Sequence, residues 1–396
     1  MELVTRPKTK ILFLAASDDL YGSDVVLLDL LNRLDLSNFE PVVVVPSDVK
    51  LPGRFSRKLS QAGIRYYHYP LAIIRRKYLN PSGLVQYLFL LIKSCFWLSR
   101  LSQKEKVNLI HTNSLMIIPG AVIAAIKGIP HVWHIHEAPG GPALLQKIQA
   151  MMLQHIGIHI IAVSDFVKKQ WTAINPALQS KMVMIHNGVD LSQFYPGVDV
   201  SNLRKELGCK GTHSLIGVVG RISYRKGQHV FIKAIPPLIQ KFPQARFIIV
   251  GDVFPDHELE YDSLIKMVSD YGLKDYVIIS PYKENIAQVI AAIDILVLPS
   301  IMTEAFPTIL LEAMASAKPV IATACGGAEE IVTNQEDGMI IPMNDPDSLS
   351  KAISFLLQNP DFAKNIGKAG RGKMEQEMTI QNFTQRLIDL YQSIVQ

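Results

Sequence analysis

Cysteine is scarce in this sequence, with three residues among 396. Cys95, Cys209 and Cys325 form no C-x-x-C pair, and an odd number of thiols cannot all be bridged. This pattern argues against a disulfide scaffold and is typical of a reducing compartment, so we expect a cytoplasmic protein.

Long apolar runs are also lacking. No uninterrupted run approaches the ~18 residues of a membrane span, so we expect a protein that is soluble or at most peripheral to a membrane. Basic residues near the N-terminus precede a short apolar run at 11–16, which leads directly into Asp18 and Asp19. That arrangement predicts a first buried strand rather than a signal peptide.

Several common nucleotide and nucleophile motifs are missing. There is no G-x-G-x-x-G, and the second predicted strand ends at Val45-Pro46-Ser47 without an acid, which disfavours a nicotinamide cofactor. A P-loop and a G-x-S-x-G elbow are absent too. The net charge of +5 suits an anionic ligand or membrane headgroups. Aromatic and basic residues are rarely interleaved, so we predict no nucleic-acid partner.

The sequence does contain Val- and Ile-rich strands that alternate with helices, a pattern that predicts parallel sheets covered on both faces. A first series of strands is predicted at 11–17, 41–47, 65–68, 109–112, 131–137 and 158–164. A second series is predicted at 214–220, 246–251, 277–280, 295–298 and 320–323. The turn-rich stretch 187–200 separates them. We therefore predict an α/β protein with two doubly wound Rossmann-like domains that face each other across a cleft.

Two helical segments stand apart from this rhythm. Residues 380–394 predict an amphipathic helix that needs a hydrophobic partner. Residues 73–106 join the basic cluster Arg75-Arg76-Lys77 to a helix that is apolar on nearly every side. We predict that this stretch is too short, and too interrupted by Lys93, to span a bilayer. Two interpretations of this stretch stay open. It is either an ordinary sheet-covering helix or a peripheral membrane contact, in which Phe89, Phe96 and Trp97 enter the lipid.

A basic loop follows the first strand of the second series. Its sequence, Gly220-Arg-Ile-Ser-Tyr-Arg-Lys-Gly227, precedes a helix predicted at 227–242. Backbone N–H groups at such a strand end bind phosphate. Arg221 and Lys226 would add two positive charges that hold a diphosphate and stabilise it as it leaves.

Two acids follow the fourth strand of the second series. Glu304 lies in the loop at the strand's carboxyl end, where open α/β sheets bind ligands. Glu312 lies eight positions later, on a helix predicted to begin near Pro307-Thr308. Both could reach one polyhydroxylated ligand, although most glutamates are simply solvated.

Two first-series strand ends also carry candidate residues. Gly22 follows the first strand and opens a helix, where a glycine lets a ligand approach the backbone. His136 closes the strand that contains His134, and Glu137 follows it. A His-x-His-Glu metal site lacks a further ligand, so we favour a hydrogen-bonding role of His136 toward a substrate hydroxyl, with His134 a packed core residue.

The order of these motifs resembles that of the family-4 retaining glycosyltransferases, which have the GT-B fold and use nucleotide-activated sugars. The resemblance covers nearly the whole chain. Besides the loops above, it rests on the segments VSDFVKKQW, HNGVDLSQFYP, EAFPTILLEAMA and GGAEEIV.

The resemblance implies roles for particular residues. Glu304 and His136 would contact the donor sugar, and Glu312 would hold the ribose. Arg221 and Lys226 would grip the diphosphate, with Gly22 also on the donor side. The amide-bearing loop that contacts the donor matches five residues, namely Ala305, Phe306, Pro307, Thr308 and Ile309. Catalysis would depend on Glu304, His136, Lys226 and Arg221.

The resemblance also implies a domain plan. Residues 1–188 would form the acceptor-side domain, 189–375 the donor-side domain, and 376–396 a helix packed back on the first domain. We expect transfer of a sugar to the hydroxyl of a glycan or lipid-linked precursor in polysaccharide or glycolipid synthesis. The reaction would take place in the cytoplasm or at the inner face of the membrane, without a cofactor and without a required metal.

No carboxylate stands out as a nucleophile, so front-face attack assisted by the departing phosphate is the expected mechanism. A GT-B-type sugar-nucleotide epimerase and a non-catalytic sugar-binding subunit remain alternatives.

Overall fold

The computed structural model describes residues 8–156, 158–209, 211–254 and 257–395. The chain forms two compact units. The first unit runs to Asn187 and includes the chain from Gln381 onward, and the second unit is Gly188–Ile380. The later boundary differs from the one expected at 375/376, because a helix continues through that point to Glu377.

The first unit is built on a seven-stranded parallel sheet with the order β3-β2-β1-β4-β5-β6-β7. Its strands are β1 (Thr9–Leu14), β2 (Phe39–Pro46), β3 (Arg65–Tyr69), β4 (Leu109–Thr112), β5 (His131–Ile135), β6 (His159–Ala162) and β7 (Met182–Met184). The chain winds outward from β1 to β3 and then returns to β4 on the other side. The strand order therefore reverses between β1 and β4, which pair directly from Ile11↔Leu109 to Leu14↔Thr112.

Among the described residues, six helices connect these strands: α1 (Gly22–Leu31), α2 (Arg54–Gln61), α3 (Pro81–Glu105), α4 (Ile118–Lys127), α5 (Ala143–Ile156) and α6 (Asp165–Ile174). Short 3-10 turns occur at Arg76–Tyr78 and Pro176–Leu178. The helices α2 and α4 were not predicted from the sequence.

Helix α3 corrects one prediction. It has 25 residues, and it is the one helix among the described residues that is long and apolar enough to cross a membrane by length and composition. The expectation that this stretch is too short to span a bilayer was therefore wrong, whereas Lys93 does interrupt its apolar residues. The helix nevertheless packs on the sheet, because Leu98 and Leu101 join the core formed by Leu12 and Val44. The ring of Trp97 also stacks on that of Tyr69 at 4.1 Å.

The second unit is built on a six-stranded parallel sheet with the order β10-β9-β8-β11-β12-β13. Its strands are β8 (Ser214–Val219), β9 (Ala245–Val250), β10 (Val277–Ser280), β11 (Ile295–Leu298), β12 (Val320–Thr323) and β13 (Met339–Ile341). This is again a doubly wound topology, and the strand order reverses between β8 and β11. These two strands pair at Ile295↔Ile216 and Leu296↔Gly217.

In the part of the chain that the structure describes, nine helices accompany this sheet: α7 (Ser201–Glu206), α8 (Gln228–Ala234), α9 (Pro236–Lys241), α10 (Glu258–Asp270), α11 (Ile286–Ala292), α12 (Thr308–Ala315), α13 (Ala328–Ile331), α14 (Pro346–Gln358) and α15 (Pro360–Glu377). The single helix predicted at 227–242 is divided into α8 and α9. The division falls at Pro236, because proline has no backbone N–H with which to continue the helical ladder.

The last helix, α16 (Ile380–Val395), packs in the first unit. Its buried face includes Phe383, Leu387 and Tyr391. The hydroxyl of Tyr391 lies 2.8 Å from Nδ1 of His111 on β4. The ring of Phe383 lies 6.3 Å from that of His134 on β5. The amphipathic tail thus has its hydrophobic partner in this sheet.

Candidate active site

The predicted donor residues of the second unit lie where its strand order reverses. The loop with Arg221 and Lys226 follows β8, and the loop with Glu304 follows β11, the neighbouring strand. Open α/β sheets bind ligands at the carboxyl ends of strands at such a reversal, because the two loops diverge there and leave a crevice. The fold thus brings together two charged loops that are about eighty positions apart in the sequence.

Lys226 and Glu304 form an ion pair, with Nζ 2.8 Å from Oε1. The same carboxylate accepts a hydrogen bond of 2.7 Å from Oγ of Ser300, which is fully buried. Burial by itself would raise the pKa of Glu304, but the charge of Lys226 and these hydrogen bonds outweigh it. The pKa of Glu304 lies below its ordinary value as a result. Glu304 is therefore an ionised hydrogen-bond acceptor at neutral pH.

Backbone hydrogen bonds fix the Glu304 loop to the basic loop on one side and to the segment after β12 on the other. The Ile301 N–H donates to the carbonyl of Arg225 at 2.9 Å, and the Glu304 N–H donates to that of Cys325 at 2.8 Å. Gly227 has a φ of +69° and lies so close to Pro299 that a Cβ would stand 1.9 Å from the Pro299 oxygen. Only glycine fits this approach, so the last residue of the basic loop locks that loop against the end of β11.

Gln228, which was not predicted from the sequence, supports the basic loop through hydrogen bonds to its backbone. Gln228 is buried, and its Nε2 donates to the carbonyl of Arg221 at 2.9 Å while its Oε1 accepts from the Ser223 N–H at 3.4 Å. Arg221 itself is exposed, and its guanidinium lies 6.0 Å from the ring of Phe254. Gln228 therefore sets the backbone of the loop that carries both predicted phosphate-binding cations.

The loop from Glu304 into α12 has the course that the sequence predicts. Phe306 and Pro307 are buried, whereas Ala305, Thr308 and Ile309 are partly exposed. The backbone φ of Ala305 is not positive, so an alanine fits this position without strain. The Gly327 N–H donates to the Glu304 carbonyl at 2.9 Å. Glu312 lies in the second turn of α12 and is partly exposed.

In the first unit, Gly22 begins α1 just beyond β1. A Cβ at Gly22 would meet nothing within 4 Å, so the packing of the unit does not itself demand glycine there. Two positions later, Asp24 is completely buried and accepts hydrogen bonds from Oγ (2.6 Å) and the N–H (3.3 Å) of Ser17. Burial raises the pKa of Asp24 to about 7. This acid carried no signal in the sequence.

His136 lies just beyond β5 and is held by a second missed residue. Its Nε2 lies 3.0 Å from Oδ1 of Asn113, and Nδ2 of Asn113 donates to the Ser23 carbonyl at 2.9 Å. Burial lowers the pKa of His136 to about 3, so its imidazole is neutral. His134 is a buried core residue, with its ring 4.2 Å from that of His136.

Glu137 is held by hydrogen-bond donors of neighbouring residues. Its carboxylate accepts hydrogen bonds from the Ser114 hydroxyl, the Leu115 N–H (3.2 Å) and the His136 N–H (3.1 Å), and burial raises its pKa. Among the described residues, no group of three or more His, Cys, Asp or Glu residues could hold a metal ion.

Several site residues of both units share one sequence signal, a position just after the carboxyl end of a strand. Ser300 and Asn113 follow β11 and β4 at their carboxyl ends, as Glu304 and His136 follow theirs. The same rule that selected Glu304 and His136 could have found them. Gln228 and Asp24 lie within helices and had no such signal.

Two family models match successive parts of the chain. Residues 21–193 match "Glycosyltransferase Family 4", and residues 199–373 match "Glycosyl transferases group 1". Together they cover most of both units. The fold and the position of the charged loops at the strand reversal agree with this assignment.

Two curated relatives are named as glycosyltransferases. The UDP-Gal:alpha-D-GlcNAc-diphosphoundecaprenol alpha-1,3-galactosyltransferase of Escherichia coli is 28% identical over 77% of this chain and 80% of its own length. The D-inositol 3-phosphate glycosyltransferase of Mycobacteroides abscessus is 27% identical over 84% of this chain and 73% of its own length.

Solved structures agree in fold. Anabaena Alr3699/HepE, crystallised with UDP and glucose, has a TM-score of 0.84 at 23% identity and covers 97% of this chain and all of its own. A glycosyltransferase from Rickettsia africae has a TM-score of 0.82 at 20% identity over 99% of this chain and all of its own. The expected GT-B fold class is thereby confirmed. The chain is a glycosyltransferase and belongs to the family-4 (group 1) glycosyltransferases.

Proposed function

We propose that this enzyme transfers a sugar from a nucleoside-diphosphate sugar to the hydroxyl of a lipid-linked or glycan acceptor, with retention of anomeric configuration. The observation that carries the proposal is the Lys226–Glu304 ion pair at the reversal between β8 and β11. Lys226 provides a cation that can bind a diphosphate, and the adjacent Glu304 provides an ionised acceptor for sugar hydroxyls.

The relatives support the choice of substrates. The name of the Escherichia coli relative specifies a UDP-sugar donor and a diphosphoundecaprenol-linked acceptor. A Corynebacterium glutamicum relative, 32% identical over 52% of this chain and 55% of its own length, is named as a GDP-mannose-dependent mannosyltransferase acting on a phosphatidylinositol mannoside. We infer a nucleoside-diphosphate sugar as donor and an acceptor of the glycolipid or polysaccharide-precursor class, used in the cytoplasm or at the inner face of the membrane.

The donor diphosphate would lie against Arg221 and Lys226. An ammonium has three N–H donors, so Lys226 can keep its bond to Glu304 and still contact a phosphate oxygen. Negative charge develops on that phosphate as the bond to the sugar breaks, and fixed cations stabilise the developing charge without reorganisation. No cofactor is required for this step.

The sugar would be held by acceptors rather than attacked by a protein group. Glu304 is ionised and paired, which suits it to receive hydroxyl hydrogen bonds. Neutral His136 would contact another sugar hydroxyl, and Glu312 would bind the ribose hydroxyls. The loop Ala305–Ile309 would provide backbone amides, and Gly22 would allow close approach on the donor side.

Retention follows from the direction of attack. The acceptor oxygen bonds to the anomeric carbon on the face from which the diphosphate departs. The bond between that carbon and the phosphate oxygen breaks through an oxocarbenium-like state. The acceptor proton passes to the departing phosphate oxygen, so the products are the glycosylated acceptor and a nucleoside diphosphate.

The test measures transfer from UDP-glucose, UDP-galactose and GDP-mannose to a short-chain lipid-diphosphate sugar, with the product anomer assigned by NMR. Lys226→Ala and Glu304→Ala should abolish transfer while the melting temperature of the protein stays near that of the wild type. Lys274→Ala, at an exposed lysine of the same unit, is the matched control and should keep full activity.

Three outcomes would contradict the proposal. Near-normal turnover in either site variant would exclude the assigned residues. Conversion of the donor to an isomeric sugar nucleotide without acceptor would favour an epimerase. Donor binding without turnover across the acceptor panel would favour a non-catalytic sugar-binding subunit.

A further inference from the structure

The outer face of α3 is a continuous apolar surface. We call it the α3 stripe, and its members recur at helical spacing and are all exposed: Leu84, Val85, Leu88, Phe89, Ile92 and Phe96. Val85, Phe89 and Ile92 are 67%, 60% and 69% exposed. At 1.5 Å per residue, the stripe runs for roughly 18 Å along the helix. Isolated exposed apolar residues are normal, but a contiguous row on one helix indicates a binding surface.

The opposite face of the same helix holds it on the sheet. Tyr87, Ser94, Leu98 and Leu101 are buried. Oγ of Ser94 accepts a hydrogen bond of 3.0 Å from the Ala72 N–H. Near the end of the helix, Glu105 pairs with Arg65 at 2.9 Å and accepts from the Tyr67 hydroxyl at 2.7 Å. A helix fixed in this way on one side cannot cross a bilayer without giving up these contacts, so only its outer face is available.

Positive charge borders the α3 stripe. Between 73 and 104 the chain has six cations and no acid, and one of the six, Arg75, is paired with Asp48. Nζ of Lys93 lies 4.2 Å from the ring centroid of Phe89, and the guanidinium of Arg100 lies 4.1 Å from that of Phe96. The cations therefore stand along the edge of the aromatic residues. An apolar stripe with a basic border is the pattern of a helix that lies in the plane of a membrane interface.

We propose that the α3 stripe binds the surface of a bilayer that contains anionic lipid, with Phe89, Ile92 and Phe96 in the acyl boundary and Lys93 and Arg100 on the headgroups. Charge selects this occupant over a second copy of the chain. An isologous pairing of two α3 stripes would bring two basic borders together with no acid on this stretch to compensate them, whereas anionic headgroups match the basic border.

No residue of this surface is among those assigned to sugar transfer, so the two proposals can fail independently. The purified enzyme is sedimented with vesicles of phosphatidylcholine alone or of phosphatidylcholine mixed with phosphatidylglycerol, without donor or acceptor. The wild type should bind the mixed vesicles, and binding should weaken as salt is raised because the headgroup attraction is screened.

Two double variants separate the apolar contribution to vesicle binding from the electrostatic contribution. Phe89→Asp/Ile92→Asp should abolish sedimentation with vesicles. Lys93→Gln/Arg100→Gln should lower the partition coefficient about fivefold for each cation removed and should make it less sensitive to salt. Leu259→Asp, at an 83% exposed leucine of α10, is the matched control and should bind as the wild type does.

All variants should retain the wild-type melting temperature, because the altered side chains are exposed. They should also glycosylate a short-chain acceptor in detergent-free buffer at the wild-type rate, which distinguishes failure of the membrane surface from failure of the transfer reaction. The proposal is overturned if the wild type does not bind anionic vesicles or if the aspartate variant binds as well as the wild type. It is also overturned if the α3 stripe instead forms a dimer that the aspartates dissociate.

Discussion

The imidazole of His136 is held in one tautomer by Asn113. Because Nδ2 of Asn113 donates to the Ser23 carbonyl at 2.9 Å, its Oδ1 is the atom that faces Nε2 of His136 at 3.0 Å. Nε2 must therefore carry the proton, and Nδ1 keeps a lone pair that can accept a hydrogen bond from a sugar hydroxyl. Asn113 is fully buried and thus acts as a positioning residue.

Replacing Asn113 by Asp tests this relationship. A carboxylate at the same position would favour the imidazolium, so the pKa of His136 should rise from about 3 toward its ordinary range. The second proton would then occupy Nδ1 and remove the acceptor. We expect the transfer rate of Asn113→Asp to fall as the pH is lowered through the new pKa, where the wild type shows no such step.

NMR titration of His136 alongside the pH profile of kcat/KM provides the measurement. Asn113→Ser, which is uncharged, serves as the control and should lower activity without a new pH step. A flat pH profile in Asn113→Asp, with a His136 pKa that does move, would show that Nδ1 has no part in the reaction.

Lys226 and Glu304 should behave as one unit in mutant kinetics. Glu304→Gln removes the charge, and Lys226→Met removes the cation. Each should lower kcat/KM on the order of 10²- to 10³-fold, the effect typical of a lost charge-stabilising group. Because the two atoms are 2.8 Å apart, the double variant should lose much less than the product of the single losses.

A double-mutant cycle on kcat/KM measures this coupling, with nucleoside-diphosphate binding recorded in parallel. Lys226→Met should also weaken binding of the diphosphate, whereas Glu304→Gln should affect mainly the intact sugar donor. If the loss of kcat/KM in the double variant equals the product of the two single losses, the ion pair of the unliganded enzyme plays no part in donor binding.

Asp24 should destabilise the folded enzyme as the pH rises. Its pKa is about 7 in the folded chain and 3.8 in the ordinary state. Below pH 4 it is protonated in both states and has no effect on stability. Between pH 4 and 7 the unfolded chain loses the proton first, so the free energy of unfolding falls, and above pH 7 the full penalty is present. Asp24→Asn copies the protonated acid and should be more stable above pH 7, by on the order of 2–4 kcal/mol.

Calorimetric melting between pH 4 and 8 tests this. The advantage of Asp24→Asn should shrink to nothing near pH 4. Asp35→Asn is the control with the opposite sign, because hydrogen bonds from Ser37 lower the pKa of that exposed carboxyl. An advantage of Asp24→Asn that does not vary with pH would rule out ionisation as the cause.

The sequence predicted eleven of the thirteen strands in the two described sheets and missed β7 and β13, and it predicted the contacts between loops poorly. Strands β4, β10, β11 and β12 have the bounds expected of them, because unbroken Val and Ile runs between turn residues have one interpretation in a doubly wound sheet. Helix α4 was missed because Pro119 and Gly120 resemble a turn. In the structure Pro119 lies in the first turn, and Gly120 packs so tightly that a Cβ would stand 2.3 Å from Oγ1 of Thr112.

Strand ends located Glu304, Lys226 and His136, but their partners could not be paired from the sequence. Ser300 and Asn113 bind neighbours 4 and 23 positions away. The pairing of side chains depends on the course of the loop backbones. That course is set by close backbone contacts, such as that of Gly227 with Pro299. Hydrophobic periodicity carries no information on such distances, so the supporting residues of the site emerge only from the fold.

The hydroxyl of Tyr391 joins α16 to β4 and should contribute measurably to the first unit. It lies 2.8 Å from Nδ1 of His111, and burial keeps both groups uncharged by raising the pKa of Tyr391 and lowering that of His111 to about 3. Tyr391→Phe keeps the ring packed against Phe13 and Phe39 but removes the hydroxyl. It should lower the free energy of unfolding of that unit by about 1 kcal/mol, the usual net value of one buried hydrogen bond.

Urea unfolding followed by tryptophan fluorescence reports on this unit, since Trp97, Trp133 and Trp171 all lie within it. Tyr271→Phe, at an exposed tyrosine after α10, is the matched control and should leave the transition unchanged. Equal stability of Tyr391→Phe and the wild type would mean that the hydrogen bond between Tyr391 and His111 contributes nothing to the stability of this unit. In that case α16 would be held by apolar packing alone.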